Sequence, residues 1–126
     1  MSRLLVVDDE ANIRLLYSEE LKDEGYDVVT AASSAEAIEK LQLGAFDLAV
    51  LDIKLKNESG IELLQKLVKE RHDMPVILCS AFSCYKDDFS AWLADGYVVK
   101  SGDLTELKQE IARVLAKKAQ KLKADV

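Results

Sequence analysis

The sequence predicts an α/β domain: a doubly wound, five-stranded parallel sheet of strand order 2-1-3-4-5, with helices on both faces. Three observations predict it. Short apolar runs without polar alternation recur along the chain, and segments of helical periodicity separate them. Acids, a hydroxyl and a lysine then follow the runs in turn. Runs of branched apolar residues mark strands covered on both faces, as parallel sheets require.

The strands are expected at Leu4–Val7, Asp27–Ala31, Leu48–Leu51, Val76–Cys79 and Tyr97–Val99. The second is more polar, as an edge strand would be. Between the first two, Ile13, Leu16, Tyr17 and Leu21 recur as one helical face, with Gly25 as the stop. Ser33 and Glu36 have capping-box spacing ahead of Ala37, Ile38 and Leu41, and Gly44 closes that helix. Ile61, Leu64, Leu67 and Val68 form a third stripe. A fourth helix is expected over Tyr85–Leu93, where Phe89 and Trp92 share a face. Asp103 with Glu106 opens the last helix, whose stripe is Leu104, Leu107, Ile111, Val114 and Leu115. Right-handed crossovers then set the order, and its topological switch point lies between the first and third strands, at their carboxyl ends. Ligand chemistry is expected there.

At 126 residues the chain is one domain, with residues 1–118 as its body and 119–126 as a tail or the start of a linker. A net charge of -6 argues against direct nucleic-acid binding, which needs positive charge to displace phosphate counterions. Cys79 reads as a buried strand thiol and Cys84 as a loop thiol, in neither a disulfide framework nor a C-x-x-C pair. A reducing cytoplasm is therefore expected. No apolar run approaches membrane-spanning length, so no membrane contact is expected. His72 reads as a surface histidine.

The chemistry gathers at the switch point. Asp8, Asp9 and Glu10 follow the first strand and Asp52 follows the third. Carboxylates crowded into one crevice repel, and a divalent cation relieves them. Hard oxygen donors suit Mg2+ (or Mn2+), while the lack of a nearby histidine or thiolate disfavours zinc. A carboxylate beside such an ion can accept a phosphoryl group, provided positive charge surrounds the equatorial oxygens. Ser80 and the Ala81 N–H after the fourth strand, and Lys100 after the fifth, supply those donors. Singly, Asp9 reads more readily as a helix cap, Ser80 as a turn residue and Lys100 as a solvated charge. Together on one rim they point to phosphoryl transfer.

The segments V-V-D-D-E, D-L-A-V-L-D-I-K-L, E-S-G-I-E-L-L, V-I-L-C-S-A and G-Y-V-V-K resemble the receiver domain of a bacterial-type response regulator. The resemblance runs from about Arg3 to Leu115, in order and at matching spacings. It implies that Asp52 is the phosphoacceptor, and that Asp9 and Asp52 are direct metal ligands. Asp8 would act largely through water, with the Lys54 backbone carbonyl completing the protein's share. It further implies that Ser80 and Lys100 bind phosphoryl oxygens and that Tyr97 is a switch aromatic coupled to Ser80. An aromatic in a strand is also ordinary core packing. The implied partners are a sensor histidine kinase or phosphotransfer protein, a downstream protein or effector domain, and a phosphorylation-dependent dimer. Transfer and hydrolysis would be self-catalysed, without a free substrate to turn over.

The sequence departs from the family pattern in places. Ser101 stands where proline usually follows the lysine, and Lys56 where proline is common. The stretch from Ser80 to Lys100 is short, so a shortened or displaced fourth helix is expected. The rival reading is a pseudo-receiver, the same fold used as a phosphorylation-independent interaction module. A haloacid-dehalogenase-type phosphatase needs a second acid two residues after the nucleophile, and Lys54 stands there. An FMN-binding site would not place acids after the first strand.

Overall fold

The computed structural model describes residues 2–55, 58–70, 74–80, 94–100 and 103–124. Along the chain run β1 (Arg3–Val7), α1 (Ala11–Asp23), β2 (Asp27–Ala31), α2 (Ser34–Leu43) and β3 (Leu48–Asp52). There follow β4 (Lys54–Leu55), β5 (Glu58–Ser59), α3 (Gly60–Glu70), β6 (Val76–Ser80), β7 (Gly96–Val99) and α4 (Thr105–Ala124). The main sheet is parallel throughout, in the order β2-β1-β3-β6-β7. This is the expected doubly wound order, counted over the five long strands. The antiparallel ribbon β4–β5 was not expected; it pairs Lys54 with Ser59 and Leu55 with Glu58. The expected helix over Tyr85–Leu93 lies outside the described residues, as do Lys56, His72, Ala81, Cys84 and the Ser101–Gly102 loop.

Strand alternation divides the core into two layers. Leu5, Val7, Leu51 and Leu78 pack with Ala37 and Leu41 of α2 and with Leu63, Leu64 and Leu67 of α3. On the other face, Leu4, Val6, Val50 and Ile77 pack with Tyr17 and Leu21 of α1 and with Leu107, Ile111 and Val114 of α4. The central strands β3 and β6 are buried at every residue, which is why they read as unbroken apolar runs.

Local signals decide the helix ends. After α1, the Gly25 N–H donates to the Lys22 carbonyl and the Tyr26 N–H to the Leu21 carbonyl, with Gly25 at φ 95°. That is the Schellman arrangement, and it uses glycine's access to the left-handed region. At α2 the Glu36 N–H donates to Ser33 Oγ (3.2 Å), while the Glu36 carboxylate accepts from the Ala32 N–H (3.2 Å). At α4, Asp103 Oδ1 accepts from the Thr105 N–H (2.9 Å), so the helix starts two residues after the acid that opens it.

Two expectations are corrected. Leu16 is 36% exposed, because α1 buries the narrow row of Tyr17 and Leu21 and leaves Leu16 on its flank. Asp9 does not cap α1: Glu10 holds the N-cap position and supplies no side-chain bond there. The last helix runs unbroken across residues 118 and 119 as far as Ala124.

Candidate functional site

Register assembles the site before any side chain is considered. Val7 lies opposite Leu51, Asp52 opposite Cys79, and Ser80 opposite Val99. Asp8, Asp52, Ser80 and Lys100 therefore fall in a row along the carboxyl rim of four adjacent strands. Asp52 and Ser80 are the last residues of β3 and β6, one residue further into the sheet than the sequence suggested. The three polar residues Asp8 (2% exposed), Asp52 (5%) and Ser80 (2%) are buried.

Lys100 ties the rim together. Its Nζ lies 2.7 Å from Asp8 Oδ2 and 3.1 Å from Asp52 Oδ2. It follows β7 directly, two strands from Asp52 at about 4.8 Å per strand, a gap that the four-carbon stem of lysine closes. Its backbone is fixed by an N–H bond to the Ser80 carbonyl (2.7 Å). The remaining oxygens are also occupied. Asp8 Oδ1 accepts from the Glu10 N–H (2.9 Å), and Asp52 Oδ1 accepts from the Lys54 N–H (3.3 Å).

The charge balance is uneven: among the described residues, buried Asp8 and Asp52 share the Lys100 ammonium. Asp8 takes the shorter bond, leaving Asp52 the less compensated. Burial pushes the Asp52 carboxyl above its ordinary range; its bond and attraction to Lys100 oppose the shift, and the charge of Asp8 adds to it. For Lys100, burial favours the neutral amine, but its bonds to Asp8 and Asp52 prevail and hold its pKa above the usual value. Cys79, buried behind this cluster, is pushed up to about 12, chiefly by burial. It stays a thiol.

Asp8, Asp9 and Glu10 place carboxylate oxygens within 4.8 Å of one another. These are hard oxygen donors with graded exposure, from buried Asp8 to exposed Glu10. The donor set fits Mg2+ or Mn2+, which keep several waters and take few protein carboxylates. Asp52 is joined to this group through Lys100 rather than by belonging to it. Tyr97 is partly buried against the α2–α3 layer. It lies opposite Leu78, on the same sheet face as Ser80 two residues on.

Sequence reading passed over three contributors. Glu10 stands beside the aspartates, where sequence alone assigns it no role. Arg14 donates from Nη1 to the Asp8 carbonyl (2.8 Å), bracing the acidic turn from α1. Gly60 packs directly on the Asp52 backbone, and its N–H donates to the Ile53 carbonyl (2.7 Å). Only the E-S-G motif hinted at it.

Comparison with known proteins agrees with this fold. Residues 4–112 match the family model of the response regulator receiver domain. The response regulator ArlR of Staphylococcus saprophyticus is 31% identical over the whole chain, which spans 58% of that relative's length. Among solved structures, the response regulator TrrA of Thermotoga maritima, in complex with Mg(2+)-BeF, is 46% identical. Its TM-score is 0.87, over 90% of this chain and 99% of TrrA. A chain of the complex between the histidine kinase ThkA and TrrA matches at 46% identity and TM-score 0.85, covering 91% and 99%. A CheY-like receiver domain from Methanospirillum hungatei is 31% identical with TM-score 0.89, covering 96% and 98%. No helix among the described residues is long and apolar enough to cross a membrane.

Proposed function

The chain belongs to the response regulator receiver domain family, and on that premise we propose that it is a signalling switch that accepts a phosphoryl group on Asp52. The observation that carries the proposal is the buried Asp52 carboxylate, held at the strand rim between the Lys100 ammonium and the Lys54 N–H. An oxygen of Asp52 attacks the phosphorus of a phosphohistidine or small acyl phosphate. The new P–O bond forms as the donor's P–N or P–O bond breaks, and the electron pair leaves with the donor. Transfer of this kind needs positioning and positive charge more than covalent help. We assign Lys100 to one phosphoryl oxygen, supported by its short contact with Asp52, and the Ser80 hydroxyl to another, supported by its place on the same rim.

Mg2+, held by Asp9, Asp52 and the Lys54 carbonyl with Asp8 acting through water, would supply charge neutralisation between the acids and the incoming phosphate. The Mg(2+)-BeF complex of TrrA supports this choice of ion. The TrrA–ThkA complex likewise supports a histidine kinase as donor. Because the ArlR relatives are longer, we assign the output to a downstream protein or an effector domain, with phosphorylation-dependent dimerisation as one route. Ser80 moving toward the phosphate, with the Tyr97 ring filling the space released, is the proposed local switch.

The test is incubation with Mg2+ and acetyl phosphate, followed by intact-mass measurement. A single labile phosphate adduct, absent from Asp52→Asn, is expected. An unmodified wild type across donors and metals would instead assign the fold to a phosphorylation-independent interaction module.

A further inference from the structure

We propose that Gly60 is a positioning residue for phosphoryl transfer: its missing side chain lets the first turn of α3 lock the Asp52–Lys54 backbone in place. The inference rests on the function proposed for Asp52 and adds a residue that reaches the site only through the main chain.

The space at Gly60 is closed by backbone. A Cβ built there would collide with the Asp52 carbonyl oxygen, 2.8 Å from the carbonyl carbon and 3.0 Å from Ile53 Cα. None of these atoms can easily move. Asp52 is paired with Cys79 in the centre of the sheet, and the Ile53 N–H donates to the Cys79 carbonyl (3.0 Å). On the other side, α3 is anchored by buried Leu63, Leu64 and Leu67. Backbone angle does not explain this glycine, because Gly25 is the positive-φ glycine among the described residues. Contact alone requires it.

What the contact holds is the site's own main chain. The Gly60 N–H donates to the Ile53 carbonyl (2.7 Å), Ser59 pairs with Lys54 across the ribbon, and Ser59 Oγ caps the Ile61 N–H (3.1 Å). Lys54 in turn donates its N–H to Asp52 Oδ1. A methyl at residue 60 must push the start of α3 off the end of β3. That movement shifts the Lys54 N–H and carbonyl together, and with them the Asp52 carboxylate.

The experiment measures Mg2+ affinity by isothermal calorimetry and the rate of phosphorylation by acetyl phosphate, on the full chain. Gly60→Ala is expected to weaken Mg2+ binding by about tenfold, as loss of support behind a metal ligand does, and to slow phosphorylation. Leu21→Ala, buried at the far end of α1, is the control for lost stability and should leave Mg2+ affinity within about twofold. If Gly60→Ala does not fold, Ser59→Ala loosens the same turn without adding a Cβ. It should weaken Mg2+ binding in the same direction. A folded Gly60→Ala that binds Mg2+ like wild type overturns the proposal, as does an equal loss in Leu21→Ala. A wild type that neither binds Mg2+ nor is phosphorylated refutes the function beneath it, and this inference falls with it.

Discussion

Replacing Lys100 with methionine removes the cation that, among the described residues, bridges Asp8 and Asp52, while keeping most of the side-chain volume. Two carboxylates, 2% and 5% exposed, are then left facing each other in a poorly solvated crevice. Removing one partner from a buried ion pair costs about 3–5 kcal/mol. The lysine side chain is 16% exposed, so water reaches the pair and the low end, about 3 kcal/mol, applies. For a domain of this size that corresponds to a Tm lower by roughly 10 °C. The assay is urea and thermal unfolding in EDTA. A second arm adds Mg2+, which should recover much of the loss by neutralising the same carboxylates. A third arm combines Lys100→Met with Asp8→Asn and should be less destabilised than Lys100→Met alone, since one unpaired charge is gone. A Lys100→Met protein within about 0.5 kcal/mol of wild type in EDTA would mean that the crevice is solvated and the pairing weak, because surface substitutions behave that way.

Three further outcomes follow from the same structure. Because burial raises the Asp52 pKa in the fold, its contribution is fully present below the ordinary carboxylate range and is lost as pH rises through the raised value. Asp52→Asn should therefore unfold at a higher temperature than wild type at neutral pH, and the gap should close toward about pH 4. Gly25→Ala should cost about 1–2 kcal/mol in urea titration, purely from the left-handed backbone, since a Cβ there meets nothing within 4 Å. Leu107→Ala, buried on the sheet-facing side of α4, should cost about 2–5 kcal/mol by the same assay, while Leu43→Ala, 78% exposed, should stay within about 0.5 kcal/mol.

The sheet was legible because burial on both faces leaves a plain signature. Leu48–Asp52 and Val76–Ser80 are buried residue by residue, and the more polar Asp27–Ala31 does lie at an edge. Strand order then placed Asp8, Asp52, Ser80 and Lys100 on one rim without knowledge of any side-chain conformation. Other features had no sequence signal of sufficient length. The β4–β5 ribbon has two residues per strand, too few for a period to show. Periodicity marked the apolar face of α1 but not its covered width, so Leu16 was placed inside. The double pairing of Lys100 depends on where a flexible stem ends. The need for glycine at position 60 arises from backbone approach between α3 and β3, which spacing alone does not reveal. The Ser80–Tyr97 switch was read from resemblance, and shared sheet face is the geometric support for it.

Of the four acids Asp8, Asp9, Glu10 and Asp52 at one rim, Asp52 is the proposed acceptor of the phosphoryl group. The direct measurement is site mapping: phosphorylate with acetyl phosphate and Mg2+, reduce the acyl phosphate with borohydride, digest, and sequence the peptides by mass spectrometry. Homoserine is expected at residue 52, with Asp8, Asp9 and Glu10 unmodified. Reduction product at Asp8 or Asp9, or undiminished labelling in Asp52→Asn, would contradict that assignment.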